Sequence, residues 1–251
     1  MKNSTTKYRL ISIISIVTML VLWKITALWF RSSLIVPHPE EAILSAIKLI
    51  ADKEFVLVAG STVLRALFGF FISFILGLVT GIFAGISASF DAFVKPIIVT
   101  VRSVPVISLI LLALIWFNSG SVPVFIAFLT MFPFIFTNVA EGVKSVDSNL
   151  IIMAKLYRTN WKKIIRELYI PAIMPFIISG VSSSMGIGWR AIIIGEVLSQ
   201  AKFGIGTKMQ SAQILLNVDA VIAWTLIAVL ISFGFEKIIR LSEKKLIKWR
   251  V

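Results

Sequence analysis

Six apolar stretches, at about 10–30, 61–87, 96–117, 121–140, 172–199 and 219–240, dictate what this chain can fold into. Each is near the ~20 residues that an α-helix needs to cross the hydrocarbon core of a bilayer. With 58% hydrophobic residues, 15% charged and a mean hydropathy of +0.98, the 251-residue chain is far from the balance of a water-soluble domain. The expectation is an all-α membrane protein with six transmembrane helices in a single transmembrane domain, 1–251. The first apolar run is too long for a signal-peptide core and no small-residue cleavage site follows it, so an uncleaved first span is expected. The absence of cysteine excludes disulfides and thiolate metal sites. Only Asn118, Ser119 and Gly120 separate the third and fourth runs, a polar turn that predicts an antiparallel pair.

Lysine and arginine in the flanks resist translocation and set orientation. Lys2, Lys7 and Arg9 precede the first run with no acid; six bases and two acids lie between Lys144 and Pro171, and six and two again between Glu236 and Val251. Six spans place these segments together on the cytoplasmic side, both termini included. The segment from Arg31 to Gly60 balances three bases against four acids and is assigned outside, where Glu40–Ile50 has the spacing of an amphipathic surface helix. A net charge of +13 would also suit a nucleic-acid binder, but the bases cluster beside apolar spans, so nucleic acid is not an expected partner.

Within the spans, Gly69, Ser73, Gly77, Gly81 and Gly85 recur every four residues, a small-residue ridge on which another helix can approach closely. Gly180, Ser184 and Gly188 repeat that spacing in the fifth run. Ionisable residues at membrane depth are costly and are functional candidates. Lys24 and Arg65 lie near outer ends and are read as snorkelling to the headgroups. Arg102, Arg190 and Glu196 are deeper. Arg102 precedes Pro105, whose ring interrupts the helical ladder. Arg190 and Glu196, six residues apart, are too far for an i,i+4 pair, so each needs a partner elsewhere. Together with Pro105 they are candidates for a solute pathway or a seam between two subunits, with a structural ion pair as the alternative.

Between the fourth and fifth runs lies a basic, amphipathic segment, about 144–171. Trp161, Ile164, Ile165 and Leu168 fall on one helical face, and Asn160 or Thr159 is placed to cap that helix. Pro171 and Pro175 predict that it ends or bends where the chain enters the bilayer. This segment is similar to the cytoplasmic loop of ABC-importer inner-membrane permeases. Ala154 and Lys155 sit where that loop has Ala and a basic residue, and Ile170-Pro171 with Ala172 to Pro175 matches its L-P-A-x-x-P ending. Ile152 stands at the usual Glu and Arg158 at the usual Gly, which puts the standard turn between two short helices in question. From Val36 to Arg250 the order VPHPEEA, RSVPVISLILLALIWF, GVKSVDSNL, GWRAIIIGEVL and LIKWR resembles the nitrate/sulfonate/taurine branch of the family.

That resemblance implies a permease subunit in the inner membrane, paired with a second copy or a similar subunit, and importing a small anion. It implies two cytoplasmic ABC ATPase subunits and an extracytoplasmic solute-binding protein as partners. Ala154, Lys155, Tyr157, Arg158, Trp161, Ile165 and Pro171 would belong to an amphipathic coupling-helix loop against the ATPase. No catalytic or metal-binding residue is expected: the lone His38 has no second ligand at a metal spacing, and Phe203–Lys208 lacks the spacer of a phosphate loop. ATP and Mg would therefore be bound by the partner ATPase. An ion-coupled carrier or channel working without an ATPase is the alternative from another class, though Glu196 is the one acid well inside a span.

Overall fold

The computed structural model describes residues 2–32 and 34–246; the basic end with Lys248 and Arg250 lies outside them. The described residues are helical almost throughout: α1 (Lys2–Phe30), α2 (Pro39–Ile50), α3 (Phe55–Ile86), α4 (Ala88–Ser103), α5 (Val106–Trp116), α6 (Val122–Lys144), α7 (Ser148–Leu156), α8 (Trp161–Ile164), a π-turn (Ile165–Tyr169), α9 (Ile170–Ser199), α10 (Ile205–Ile214) and α11 (Val218–Leu246). Five stretches are single helices long and apolar enough to cross a membrane: Leu10–Phe30, Phe55–Ile86, Val122–Lys144, Trp161–Ser199 and Val218–Glu243.

The third expected span is not one straight helix. It is α4 and α5, bent by 98°. Val104 and Pro105 take extended backbone between them, because proline donates no amide and pushes the residue before it out of the helical region. The pair still counts as one crossing, for a reason that lies in how α3 and α6 meet. A Cβ added at Gly69 would come within 2.6 Å of Ala127, at Gly77 within 2.9 Å of Ile135 and at Gly81 within 2.8 Å of Val139, while Gly85 faces Val143. The partner advances in step with the glycine, so α3 and α6 run parallel. The chain must return across the bundle between them, and α4 with α5 is that return.

Helix α6 is gripped from its other side as well. Gly180 of α9 abuts Asn138, Gly188 abuts Met131 and Gly195 abuts Pro123, now in opposite order, so α9 runs antiparallel to α6. Ser73 donates to its own Gly69 carbonyl at 2.7 Å and lies 3.2 Å from the Phe128 carbonyl, and Ser184 is fully buried. Small residues let the backbones close up, and dispersion across the contact then substitutes for the hydrophobic drive that lipid does not supply. Met131, Met185, Trp189, Ile192, Trp224 and Ile227 fill the space where α3, α6, α9 and α11 converge.

Between α1 and α3 in the chain, α2 packs by Ala42 and Ala46 while Ile43, Leu44 and Ile47 stay exposed, the half-buried pattern of a surface helix. Glu41 accepts from the His38 amide at 3.1 Å at its start. Lys24 reaches Glu40, and the Trp23 indole donates to the Pro37 carbonyl at 3.1 Å, tying α1 to the entrance of α2. The Lys24 ammonium hydrogen-bonded to Glu40 holds that carboxyl below its usual value.

Candidate coupling loop and intramembrane charges

Asp147 starts the loop between α6 and α9 by accepting from the Asn149 amide at 2.8 Å. No residue of α7 is buried. Ile152, Met153, Leu156 and Tyr157 all face out, Tyr157 with 81% of its surface exposed. Ala154 is half-buried and Lys155 exposed. The turn that follows forms despite the missing glycine: Arg158 itself takes the left-handed conformation, φ 49°. Its amide donates to the Lys155 carbonyl at 2.9 Å, and the Thr159 amide to the Ala154 carbonyl at 2.9 Å, closing α7 as a C-terminal glycine would. Holding a side chain there costs about 1–2 kcal/mol.

Asn160, not Thr159, caps α8, accepting from the Lys162 amide at 3.0 Å. The single apolar face expected from spacing divides in two. Ile164 is buried, whereas Trp161 (53% exposed) and Ile165 (38%) line an apolar hollow of about 400 Å³ with Ile82 and Ile86 of α3, Val143 of α6, and Tyr169. Trp161 meets Tyr169 edge-on at 5.9 Å. The helix does not stop at Pro171. It widens into the π-turn, where the Ile170 amide donates to the Ile165 carbonyl, and continues as α9. Pro171 then lies in the first turn of α9, where a missing amide is tolerated. From Trp161 to Ser199 the loop and the span form one continuous helical rod.

The far end of that rod holds a cluster the sequence did not reveal. Arg65 is not a snorkelling residue: its Nη1 is 2.5 Å from Glu196 Oε1 and also donates to the Phe203 carbonyl at 2.6 Å. Glu196 is completely buried. The Thr62 hydroxyl lies 3.0 Å from both carboxylate oxygens, and the Gly206 amide donates to Oε2 at 3.0 Å. The Ile205 amide donates to Thr62 Oγ1 at 2.9 Å, so the anion rests on the first amides of α10, where a helix end carries partial positive charge. Gly204 and Gly206 allow the approach: a Cβ at Gly204 would come within 2.5 Å of the Glu196 carboxyl carbon, and one at Gly206 would strike the Ile193 carbonyl. The signal was present in the glycines of Phe203–Lys208, Gly204 and Gly206, which admit the carboxylate. Glu196 is thus paired within its own chain, with Arg65 and not with Arg190.

Arg102 is exposed at the end of α4, its guanidinium 5.0 Å above the Phe134 ring, and Pro105 is exposed at the head of α5. Arg190 is exposed on α9 and makes no ion pair among the described residues. It borders a hollow of about 340 Å³ with Trp189, Met209, Thr225 and Glu236; Glu236 itself is held by Arg240 at 2.5 Å.

Residues 77–248 match the family described as the binding-protein-dependent transport system inner membrane component. The chain belongs to that family. As a member it is a multi-pass membrane permease component and not itself an enzyme, and membership replaces the ion-coupled carrier or channel reading. A putative aliphatic sulfonates transport permease protein, SsuC of Bacillus subtilis (strain 168), is 28% identical over 234 residues, 92% of this chain and 84% of that one. The taurine transport system permease protein TauC of Escherichia coli (strain K12) is 25% identical over 241 residues, 93% and 86%. Among solved structures, an amino acid ABC transporter matches with a TM-score of 0.64 at 16% identity, over 80% of this chain and 97% of that one. The MetNI methionine ABC transporter in an inward-facing conformation matches at 0.59 and 16% identity, over 74% and 94%. The fold of this family member is therefore that of ABC transporter permeases.

Proposed function

We propose that this permease and a second copy, or a similar subunit, enclose the path of an ATP-driven importer for a small organic anion of the sulfonate or taurine kind. Two cytoplasmic ATPase subunits, which bind the ATP and Mg, dock on the loop from α7 to the π-turn; an extracytoplasmic binding protein delivers the solute; both termini are cytoplasmic. The observation that carries this is the tip of α7, where Leu156 and Tyr157 are left 78% and 81% exposed beside Lys155 and Arg158. An apolar helix end on a basic loop, uncovered by its own chain, fits a groove on another protein. ATPase closure would displace that loop, and the unbroken rod from Trp161 to Ser199 would carry the displacement into the membrane. The substrate class is supported by the two relatives named for aliphatic sulfonates and taurine, which match along most of their length.

Two measurements test it. A bound ligand raises the melting temperature of the native state it binds. Taurine or a short alkanesulfonate should raise that of the cognate binding protein; a rise with neutral solutes alone would overturn the substrate class. For orientation, single cysteines at Ser145 and Gln200 can be treated with an impermeant reagent on intact cells, and Gln200 alone should react. Reaction at Ser145 alone would invert the topology and remove the ATPase from the loop.

A further inference from the structure

One side of α9 departs from what lipid tolerates. Gly180, Ser184 and Gly188 back onto α6, and Met185, Trp189 and Glu196 turn toward α3, α10 and α11. The remaining side carries Ser179, Ser182, Ser183, Gly186 and Arg190, every one of them exposed. From Ser179 to Arg190 the stripe climbs about 16 Å of helix in the middle of the span. Hydroxyls in membrane helices ordinarily bond back to their own turn, as Thr80, Thr130, Thr137 and Thr225 do here, and as Ser184 does to the Val181 carbonyl at 3.0 Å. Ser179, Ser182 and Ser183 make no such bond among the described residues. Gly186 opens onto free space, with nothing within 4 Å of where its Cβ would be. Arg190 makes no ion pair among the described residues; Glu236, which borders the same hollow, pairs with Arg240.

A face with unspent donors and an unpaired positive charge at membrane depth faces water or a polar ligand, not hydrocarbon. We propose that this stripe is the anion-selecting wall of the translocation path: Arg190 supplies the counter-charge, and the hydroxyls of Ser179, Ser182 and Ser183 donate to the oxygens of an oxyanion in transit. The open space at Gly186 lets the solute pass close to the helix between the two. This rests on the chain forming one wall of a solute path, and it adds which residues discriminate by charge.

Because the chain has no cysteine, Ser179→Cys and Ser183→Cys, each placed in the assembled transporter, report on this face directly. The probes are two water-soluble methanethiosulfonates of similar size, one bearing a sulfonate and one a trimethylammonium group, their rates normalised to free cysteine. Both positions should react, the sulfonate reagent about fourfold faster at Ser183→Cys, roughly 10 Å along the helix from Arg190, and about twofold faster at Ser179→Cys, roughly 16 Å away, because one unit charge acts on the two reagents with opposite sign. Adding Arg190→Gln should keep the reaction and erase the preference. Phe71→Cys, on an exposed side of α3, serves as the lipid-facing control and should stay unreactive. Unreactive Ser179→Cys and Ser183→Cys, or a preference that survives Arg190→Gln, would overturn the proposal. So would cross-linking of two Ser183→Cys chains without reaction toward either reagent, which would make the face a dry seam. No transport substrate enters this assay, so an error in the substrate class would appear in the binding-protein melting experiment and leave this result intact.

Discussion

The two ends of the rod from Trp161 to Ser199 are finished in opposite ways. At the Ser199 end Glu196 is fully buried and hydrogen-bonded by Arg65, Thr62 and Gly206, from two other helices. At the loop end α7 buries nothing and holds Leu156 and Tyr157 in the open. The Ser199 end is satisfied within one chain, so its substitutions should act on folding. The loop end leaves an uncovered surface for the proposed partner, so its substitutions should act on assembly.

The largest expected effect breaks the finished end. Glu196→Ala takes the carboxylate away from Arg65, the Thr62 hydroxyl and the Gly206 amide, and removing one member of a buried pair costs about 3–5 kcal/mol; the unfolding midpoint in detergent should fall steeply. If Tyr157→Ala lowers the midpoint equally, the two ends do not differ in kind and the comparison fails. Next comes the α3–α6 contact, where Gly77→Leu forces a side chain against Ile135. Overpacking of that kind costs about 1–3 kcal/mol, and yield and melting should drop together; an unchanged midpoint would show that the ridge is not under close contact.

Arg158→Gly should do the reverse at the loop, relieving a left-handed non-glycine residue and raising the midpoint by up to about 1 kcal/mol in equivalent stability. A fall would mean that the Arg158 side chain is anchored within the chain. The smallest effect belongs to Lys24 and Glu40. Because the Glu40 carboxyl is held below its usual value, its contribution is present above the ordinary glutamate range and is lost as pH falls through the lowered value. Melting followed from about pH 5 down to about pH 3 should lose a small component that Glu40→Gln abolishes; an identical pH profile in the variant would show that the pair does not couple α1 to α2.

Patterns that depend on one helix at a time were legible in the sequence. Apolar length located the spans, and the four-residue recurrence of Gly69 to Gly85 marked the face that meets α6. The bend at Pro105 was half visible: proline announced an interruption, but its angle is set by the need to return between two parallel helices. What could not be read depended on distant segments meeting. Arg65 looks like a headgroup anchor until α9 brings Glu196 to it, and Gly204 and Gly206 look like a failed phosphate loop until the carboxylate they admit is in place. Arg158 at the glycine position argued against a turn, yet hydrogen bonds to the Ala154 and Lys155 carbonyls hold the left-handed backbone all the same. The continuation past Pro171 was hidden because a π-turn has no composition signature of its own.

The central claim is that the uncovered tip of α7 is where the ATPase engages. Affinity purification of the chain with its ATPase subunit, comparing the native sequence with Tyr157→Ala combined with Arg158→Glu, measures this most directly when the unfolding midpoint is recorded on the same samples. The prediction is loss of most of the captured ATPase at an unchanged midpoint. Full capture by the doubly substituted chain would contradict it.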